Sequence, residues 1–373
     1  MIWHAVNKND WMNNEKIHNF ARFQVAHCSY NQHKRILTQV PTAQTKGLIY
    51  TYPAVLYQYT QNAQGQIQPT QPRTWLDYGN LFEAAPLNPQ ELPLLRYLSQ
   101  NPIIDYPSTG QRYWINLAQI DIEPYIQHIK TKMEQTYQIK PIDDITLHGI
   151  LFRYGNQLPN QINSYDTNRD GIIDDTDLLY TTFNFGQKTS HIPFLGYLEN
   201  YIEGFFLDNL PEYITNCQRA NLSNHQILLG YNRYCQALRQ IHPRAILIAN
   251  VYEGGHFNPT QNNQFSELAE EFVNMLDGFF FENWRWHWAT RTGMLPETKI
   301  QSIEKRIDWV VARGKIAILA VNLAYDDEGY QQRLEAIQYA INRWGSQVRF
   351  SEFRQLYDKP ARSLVEPSRS INP

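Results

Sequence analysis

Glu203-Gly-Phe-Phe-Leu-Asp208 and Asp277-Gly-Phe-Phe-Phe-Glu282 repeat one pattern: an acid, Gly, an apolar run, then a second acid. A related stretch, His148-Gly-Ile-Leu-Phe-Arg153, opens on a polar residue and Gly and ends on a base. Side chains alternate along a strand, so Gly204, Phe206 and Asp208 share one face, as do Gly278, Phe280 and Glu282. An acid at the far end of an apolar run sits where a strand meets solvent. Two such ends in equivalent places suggest strands whose tips converge.

Working outward, nine short apolar runs recur: Phe23–Cys28, Gly47–Tyr52, Tyr113–Ala118, Gly149–Phe152, Gly204–Leu207, Ala245–Val251, Gly278–Phe281, Ile316–Val321 and Val348–Phe350. Their length and β-branched or aromatic content suit buried strands. Helical spacing lies between several of them. Ile122, Tyr125, Ile126, Ile129, Met133 and Tyr137 share a helix face, as do Ile227, Tyr231, Tyr234, Leu238 and Ile241. A third set, Ile300, Ile303, Ile307, Val310 and Val311, is bounded by a Thr298/Gln301 capping box and by Gly314. Strands alternating with helices imply parallel pairing through right-handed crossovers. The expected fold class is α/β, a (β/α)8 TIM barrel with a long insertion before the Asp208 strand. The rival is a doubly wound open sheet, which the lack of a Gly-rich phosphate loop after the first strand weakens.

Nine candidates exceed the eight that a ring needs, so one must lie outside. The expected organisation is a single domain over 1–355 with an insertion at 153–200, then a polar tail over 356–373. Residues 57–111, rich in Gln, Pro and Tyr, read as a loop or excursion.

At 373 residues the chain is long enough for one such barrel. Apolar residues make up 42% and charged residues 18%, and a net charge of −3 without a basic run argues against nucleic acid or an anionic membrane as partner. Cys28, Cys217 and Cys235 form no CxxC pair and read as free thiols. The opening MIWHAVNKND has neither a basic n-region nor an apolar h-region, and no apolar run is long enough to span a bilayer. The compartment stays open: cytoplasmic, non-classically exported or part of a particle.

If the shared face of the two motifs lines a barrel, Asp208 and Glu282 reach its C-terminal mouth, where barrel active sites occur. Two carboxyl groups aimed at one cavity can act as proton donor and as nucleophile or base, the pair that glycosidic cleavage needs. Trp284, Trp286 and Trp288 follow Glu282 at alternate positions, and exposed indole faces suit the apolar faces of sugar rings. Asn209, Tyr252, Glu253, Asn322 and Arg153 are further candidates for substrate contact. Tyr325, Asp326 and Asp327 follow a later strand, and His256 follows Glu253. Each of these could equally cap a helix or sit in solvent.

The motifs GFFLDN (Gly204–Asn209) and DGFFFENW (Asp277–Trp284) resemble the strand motifs of glycoside hydrolases of the (β/α)8 class, related to the polygalactosaminidase-type and α-amylase-type barrels. The order also resembles theirs, with an early YTYP strand (Tyr50–Pro53) and WINLAQ (Trp114–Gln119) leading into a helix. The resemblance spans about residues 20–350 and implies that Asp208 and Glu282 are the catalytic carboxylates. It does not say which is the acid. HGILFRYGN also fits the place of the Asp motif yet offers Arg153, a departure from the family pattern.

Asp166-Thr-Asn168-Arg-Asp170-Gly171-Ile172-Ile173-Asp174-Asp-Thr-Asp177 places oxygen donors at loop positions 1, 3, 5, 9 and 12, Gly at 6 and the Ile172 carbonyl at 7. Clustered carboxylates repel unless a cation neutralises them, so a structural calcium ion is expected. The stretch resembles a single dockerin repeat. Dockerins carry two, which argues against a cohesin-binding role.

The leading expectation is a hydrolase of O-glycosidic bonds in a polysaccharide, without an organic cofactor. The alternative is a barrel that binds carbohydrate without cleaving it, as a component of a larger surface or particle assembly. A metal-dependent amidohydrolase lacks its paired-His strand, because His27 stands alone.

Overall fold

The structure is a computed structural model. It describes residues 2–5, 25–28, 30–40, 45–51, 55–61, 67–74, 144–157, 172–183, 201–208, 210–255, 266–287, 294–321 and 327–351, with shorter pieces elsewhere. Eight parallel strands close a barrel: β1 (Ile2–Ala5), β2 (Val25–Cys28), β3 (Lys46–Thr51), β8 (Ile202–Leu207), β9 (Ile246–Asn250), β10 (Gly278–Phe281), β11 (Ile316–Ala320) and β12 (Val348–Ser351). The seam joins β12 to β1, with Ile2 opposite Phe350. Helices α1 (Tyr30–Gln39), α4 (Leu210–Arg219), α5 (Asn224–Ile241), α6 (Glu267–Met275), α7 (Glu297–Val311) and α8 (Asp327–Trp344) lie between successive ring strands. The chain is a TIM-type (β/α)8 barrel.

Seven of the nine apolar runs are ring strands. Tyr113–Ala118 is not one of them. Its first residues belong to β7 (Arg112–Trp114), which pairs with β4 (Val55–Gln61) and β6 (Ile104–Asp105) in a separate antiparallel sheet. That sheet ends on β5 (Ile67–Thr74), whose Pro69 and Pro72 suit an edge strand, where missing N–H donors are tolerated. Part of the expected loop at 57–111 is therefore sheet. Gly149–Phe152 lies in helix α2 (Asp144–Arg153), which corrects its assignment as a strand. Only Ile150 of that run is buried, while Phe152 is 87% exposed. The eighth ring strand is β1, which no apolar run announced. The expected tail at 356–373 lies outside the described residues, and among those described no helix is long and apolar enough to cross a membrane.

Two apolar layers follow from strand alternation. Val25, Leu48, Phe206, Ile248, Phe280, Ile318 and Ala320 fill the barrel interior. Phe205, Leu207, Leu247, Phe279, Phe281 and Leu319 face the helices, where Ile227, Tyr231, Leu238, Ile303 and Ile307 meet them. α5 starts on a capping box from Ser223 to Gln226. α7 starts at Glu297 with Pro296 before it and no side-chain cap, so the expected Thr298/Gln301 box does not form. Gly314 does end this segment, at φ 73°. Cys28, Cys217 and Cys235 are buried free thiols, and burial pushes all three up, Cys217 to about 11.

The acids that open the repeated motif serve the opposite end of the barrel from the acids that close it. Glu203 pairs with Lys46 at 3.3 Å. Asp277 accepts from Arg239 at 2.8 Å and from the Leu247 N–H at 2.9 Å, tying β10 to β9 and α5. Nearby, the buried His242 ring bonds the Ile202 carbonyl through Nε2 at 3.0 Å and accepts the Arg244 N–H at Nδ1, 3.2 Å. The ring is therefore neutral, and burial lowers its pKa from 6.5 to about 4. The unfolded chain takes up this proton first, so the contribution is complete above pH 6.5 and disappears as pH falls towards 4. Denaturant unfolding is expected to show a loss of about 2–3 kcal/mol across that window from this group. His242→Gln should flatten that part of the profile; an unchanged slope would contradict the assignment.

Candidate active site

The interior register carries three polar side chains past the apolar floor. Gly204, Phe206 and Asp208 follow one another up β8 and its end; Ile246, Ile248 and Asn250 do so on β9; Gly278, Phe280 and Glu282 on β10. Phe206 and Phe280 meet edge to face at 5.3 Å beneath the acids, and the His27 ring lies 3.7 Å from Phe206. The floor is aromatic.

Above it, Asp208 and Glu282 are joined by one amide. Asn250 Nδ2 donates to Asp208 Oδ1 at 2.8 Å and to Glu282 Oε2 at 3.0 Å. Two bonds from one nitrogen hold the acceptor oxygens within about 6 Å, and the trigonal geometry of the amide brings them nearer 5 Å. Asp208 Oδ2 accepts a second bond from the Tyr50 hydroxyl. Asp208 is half-buried, whereas Glu282 is only 8% exposed. The sequence-predicted acids thus stand together at the mouth. Asn250 and Tyr50 were missed because they carry no charge. The available signal was the strand period, which places Asn250 two residues beyond Ile248 on the interior face.

A turn after β9 supports this amide. The Tyr252 N–H donates to Asn250 Oδ1 at 2.9 Å, and Tyr252 adopts φ 60°, a left-handed conformation rare for a bulky residue. Its carbonyl accepts the Asn283 N–H at 3.3 Å, linking this turn to the one after Glu282. The Tyr252 side chain is exposed. Glu253 is committed to structure: it accepts from Asn283 Nδ2 at 3.0 Å and pairs with Lys299 at 2.7 Å, while its carbonyl accepts from Arg306 at 2.5 Å.

Several expected contacts fall elsewhere. Trp284 and Trp286 are buried at 0% and 2% exposure, edge to face with one another and, for Trp284, with Trp344. Their alternation is real, but the shared side faces the helix layer, so neither offers a ring face to a ligand. Arg285 between them lies over Tyr339 at 4.3 Å and bonds Glu304 at 3.1 Å. Arg153 sits on α2 and bonds its own helix at the Gly149 carbonyl, 3.2 Å, so it is not a strand-tip group. Asn209, Asn322, His256, Trp288, Tyr325 and Asp326 lie outside the described residues, as does the side chain of Asp327.

Of the Asp-rich loop, Asp166, Asn168 and Asp170 lie outside the described residues. Ile172 forms a bridge with Gln157. Asp174 and Asp177 cap helix α3 (Asp175–Phe183) reciprocally: the Thr176 N–H donates to Asp174 Oδ1 at 2.8 Å, and the Asp174 N–H to Asp177 Oδ2 at 2.9 Å. Among the described residues no group of three or more His, Cys, Asp or Glu gathers as a metal site.

No protein-family model matches the chain, and no curated protein matches it. Among solved structures, the glycoside hydrolase domain of PelA from Pseudomonas aeruginosa aligns over 94% of this chain and 93% of its own, at 9% identity and TM-score 0.42. A single-site variant of that domain aligns over the same shares at 9% identity and TM-score 0.40. An acarbose-soaked debranching enzyme from Nostoc punctiforme aligns over 91% of this chain and 63% of its own, at 8% identity and TM-score 0.34. Likeness at these scores carries no argument about the site.

Proposed function

We propose that this chain is a glycoside hydrolase that cleaves O-glycosidic bonds of a polysaccharide at the barrel mouth, with retention of anomeric configuration. The observation that carries the reading is the single Asn250 amide bonded to both Asp208 and Glu282. Retaining enzymes hold their carboxyl groups about 5–5.5 Å apart, while inverting enzymes need about 6.5–9.5 Å to admit a water. A shared amide nitrogen favours the shorter class.

Environment separates the roles. Asp208 takes donors on both oxygens, from Tyr50 and Asn250, and hydrogen bonds to a carboxylate favour its charged form. Asp208 is the nucleophile. Glu282, more deeply buried beside it, is the proton donor. Its carboxylic acid protonates the glycosidic oxygen as Asp208 attacks the anomeric carbon. The C–O bond breaks, the alcohol departs and a glycosyl ester forms. Glu282, now a carboxylate, removes a proton from water. That water attacks the anomeric carbon, the ester bond breaks and both carboxyl groups return to their first state. The exposed Tyr252 is the aromatic surface of this mouth, and Asn209 and Asn322 remain proposed substrate contacts.

The test is incubation with a panel of polysaccharides and oligosaccharides, with products followed by proton NMR. Cleavage whose first-formed product keeps the substrate anomer is expected. An inverted product would contradict the retaining geometry, and binding without cleavage would favour the carbohydrate-binding alternative.

Calcium in the 166–177 loop belongs to the same proposal as a structural ion, held by Asp166, Asn168, Asp170, the Ile172 carbonyl, Asp174 and Asp177. Excess chelator is expected to lower the melting temperature by about 5 °C or more, since a ligand that binds only the native state stabilises it. An unchanged melting temperature would count against the ion.

A further inference from the structure

We infer that Asn250 is a positioning residue that sets both the spacing and the protonation of the two acids, an inference that rests on reading Asp208 and Glu282 as the reacting pair. Its amide has no freedom of orientation. Oδ1 accepts the Tyr252 N–H at 2.9 Å, so Nδ2 must point to the other side, where it meets Asp208 Oδ1 and Glu282 Oε2. An NH2 group has two protons, and each carboxyl group receives one. Both facing oxygens must then be acceptors. Whatever proton Glu282 carries is directed to Oε1, away from Asp208, which keeps the nucleophile from taking it.

The supporting geometry is costly in backbone terms, and that cost has a direction. The left-handed φ of 60° at Tyr252 turns its N–H back onto Asn250. Gly254, at φ 73°, closes the turn with its N–H on the Val251 carbonyl at 2.7 Å. The Asn250 side chain is itself only 6% exposed. A buried amide held on three sides acts as a fixed spacer between two carboxyl groups, which would otherwise move apart or share a proton. Titratable groups near the pair include Tyr50 on β3, which donates to Asp208, His27 on β2, stacked on Tyr50, and Tyr231 on α5, whose pKa burial raises first and the charge of Asp208 raises to a lesser extent.

The experiment is a pH titration of the carboxyl carbons of Asp208 and Glu282 by 13C NMR in the full chain, assigned with Asp208→Asn and Glu282→Gln. Asn250→Ala removes a donor from each acid and is expected to raise both titrations by about half to one pH unit. Asn250→Asp, equal in size but without donors, is expected to raise them further. On a cleavable glycan, Asn250→Ala should lower kcat about 10- to 100-fold with little change in KM, and both limbs of the pH profile should move to higher pH. In the unmodified protein the two Nδ2 protons of Asn250 should each follow the carboxyl titrations, a readout that survives even if the variants fail to fold. Titrations and pH limbs identical to the parent, or amide protons indifferent to pH, overturn the inference while leaving the catalytic pair standing. Full activity in Asp208→Asn and Glu282→Gln overturns the catalytic pair instead, and the titration shifts remain separately measurable.

Discussion

Glu282→Gln and Asp208→Asn are each expected to lower glycan cleavage by about 10³-fold or more while leaving the melting temperature within a few degrees of the parent. Both exchanges keep size and shape. Gln at 282 still presents a carbonyl oxygen to Asn250, so the bridge survives, but it has no acidic proton to give the leaving group. Asn at 208 retains the packing above Phe206 and loses the negative charge that attacks. The two roles separate by rescue on an activated aryl glycoside. With Glu282→Ala, added azide should intercept the Asp208 glycosyl ester and yield a glycosyl azide of retained configuration. With Asp208→Ala, azide should attack directly and yield the inverted product. The opposite pairing of products would exchange the roles, and near-parent activity in either amide variant would remove the residue from the mechanism.

Gly204→Ala is expected to destabilise the barrel by about 4 kcal/mol or more, or to prevent folding. A Cβ at 204 would fall 1.9 Å from the Ile246 carbonyl oxygen and 2.6 Å from its nitrogen. Both are backbone atoms of the neighbouring strand, so no rotamer change can relieve the contact. Gly278 is a weaker version of the same site, where a Cβ would lie 2.6 Å from the Ile316 carbonyl oxygen. Gly278→Ala should therefore cost less. Denaturant unfolding of the two variants gives the order directly, and a Gly204→Ala protein of parental stability would contradict the close approach of β8 and β9.

These glycines show how much of the molecule the sequence displayed. The polar-Gly-apolar-acid repeat marked β8 and β10, with Asp208 and Glu282 just beyond their ends. The reason for the glycine, close approach of a neighbouring backbone at the barrel floor, is a long-range fact that spacing cannot contain. The same pattern misled at His148–Arg153, because a four-residue apolar run fits a helix as well as a strand. There the local signal that prevailed was Asp144 at a helix start, and Leu151 and Phe152 were left exposed. β1 escaped notice since four residues, IWHA, show no period and owe their strand to pairing on both sides. Charge drew attention to Glu253, which bonds Asn283 and Lys299, and to Arg153, which lies on α2, and away from Asn250 and Tyr50. The Trp pair beside Glu282 was legible as one face of an extended segment, but not as the face turned towards α8.

The seam between β1 and β12 ties this barrel to its own synthesis. Ile2 leaves the ribosome about 350 residues ahead of its partner Phe350, which emerges roughly tens of seconds later. Until β12 is available, the edge of β1 away from β2 lacks its ring partner. The acids on β8 and β10 already exist as sequence, yet a closed barrel can form around them only once the last strand arrives. Premature release upstream of β12 would therefore leave an unpaired parallel edge, a template for pairing with another copy.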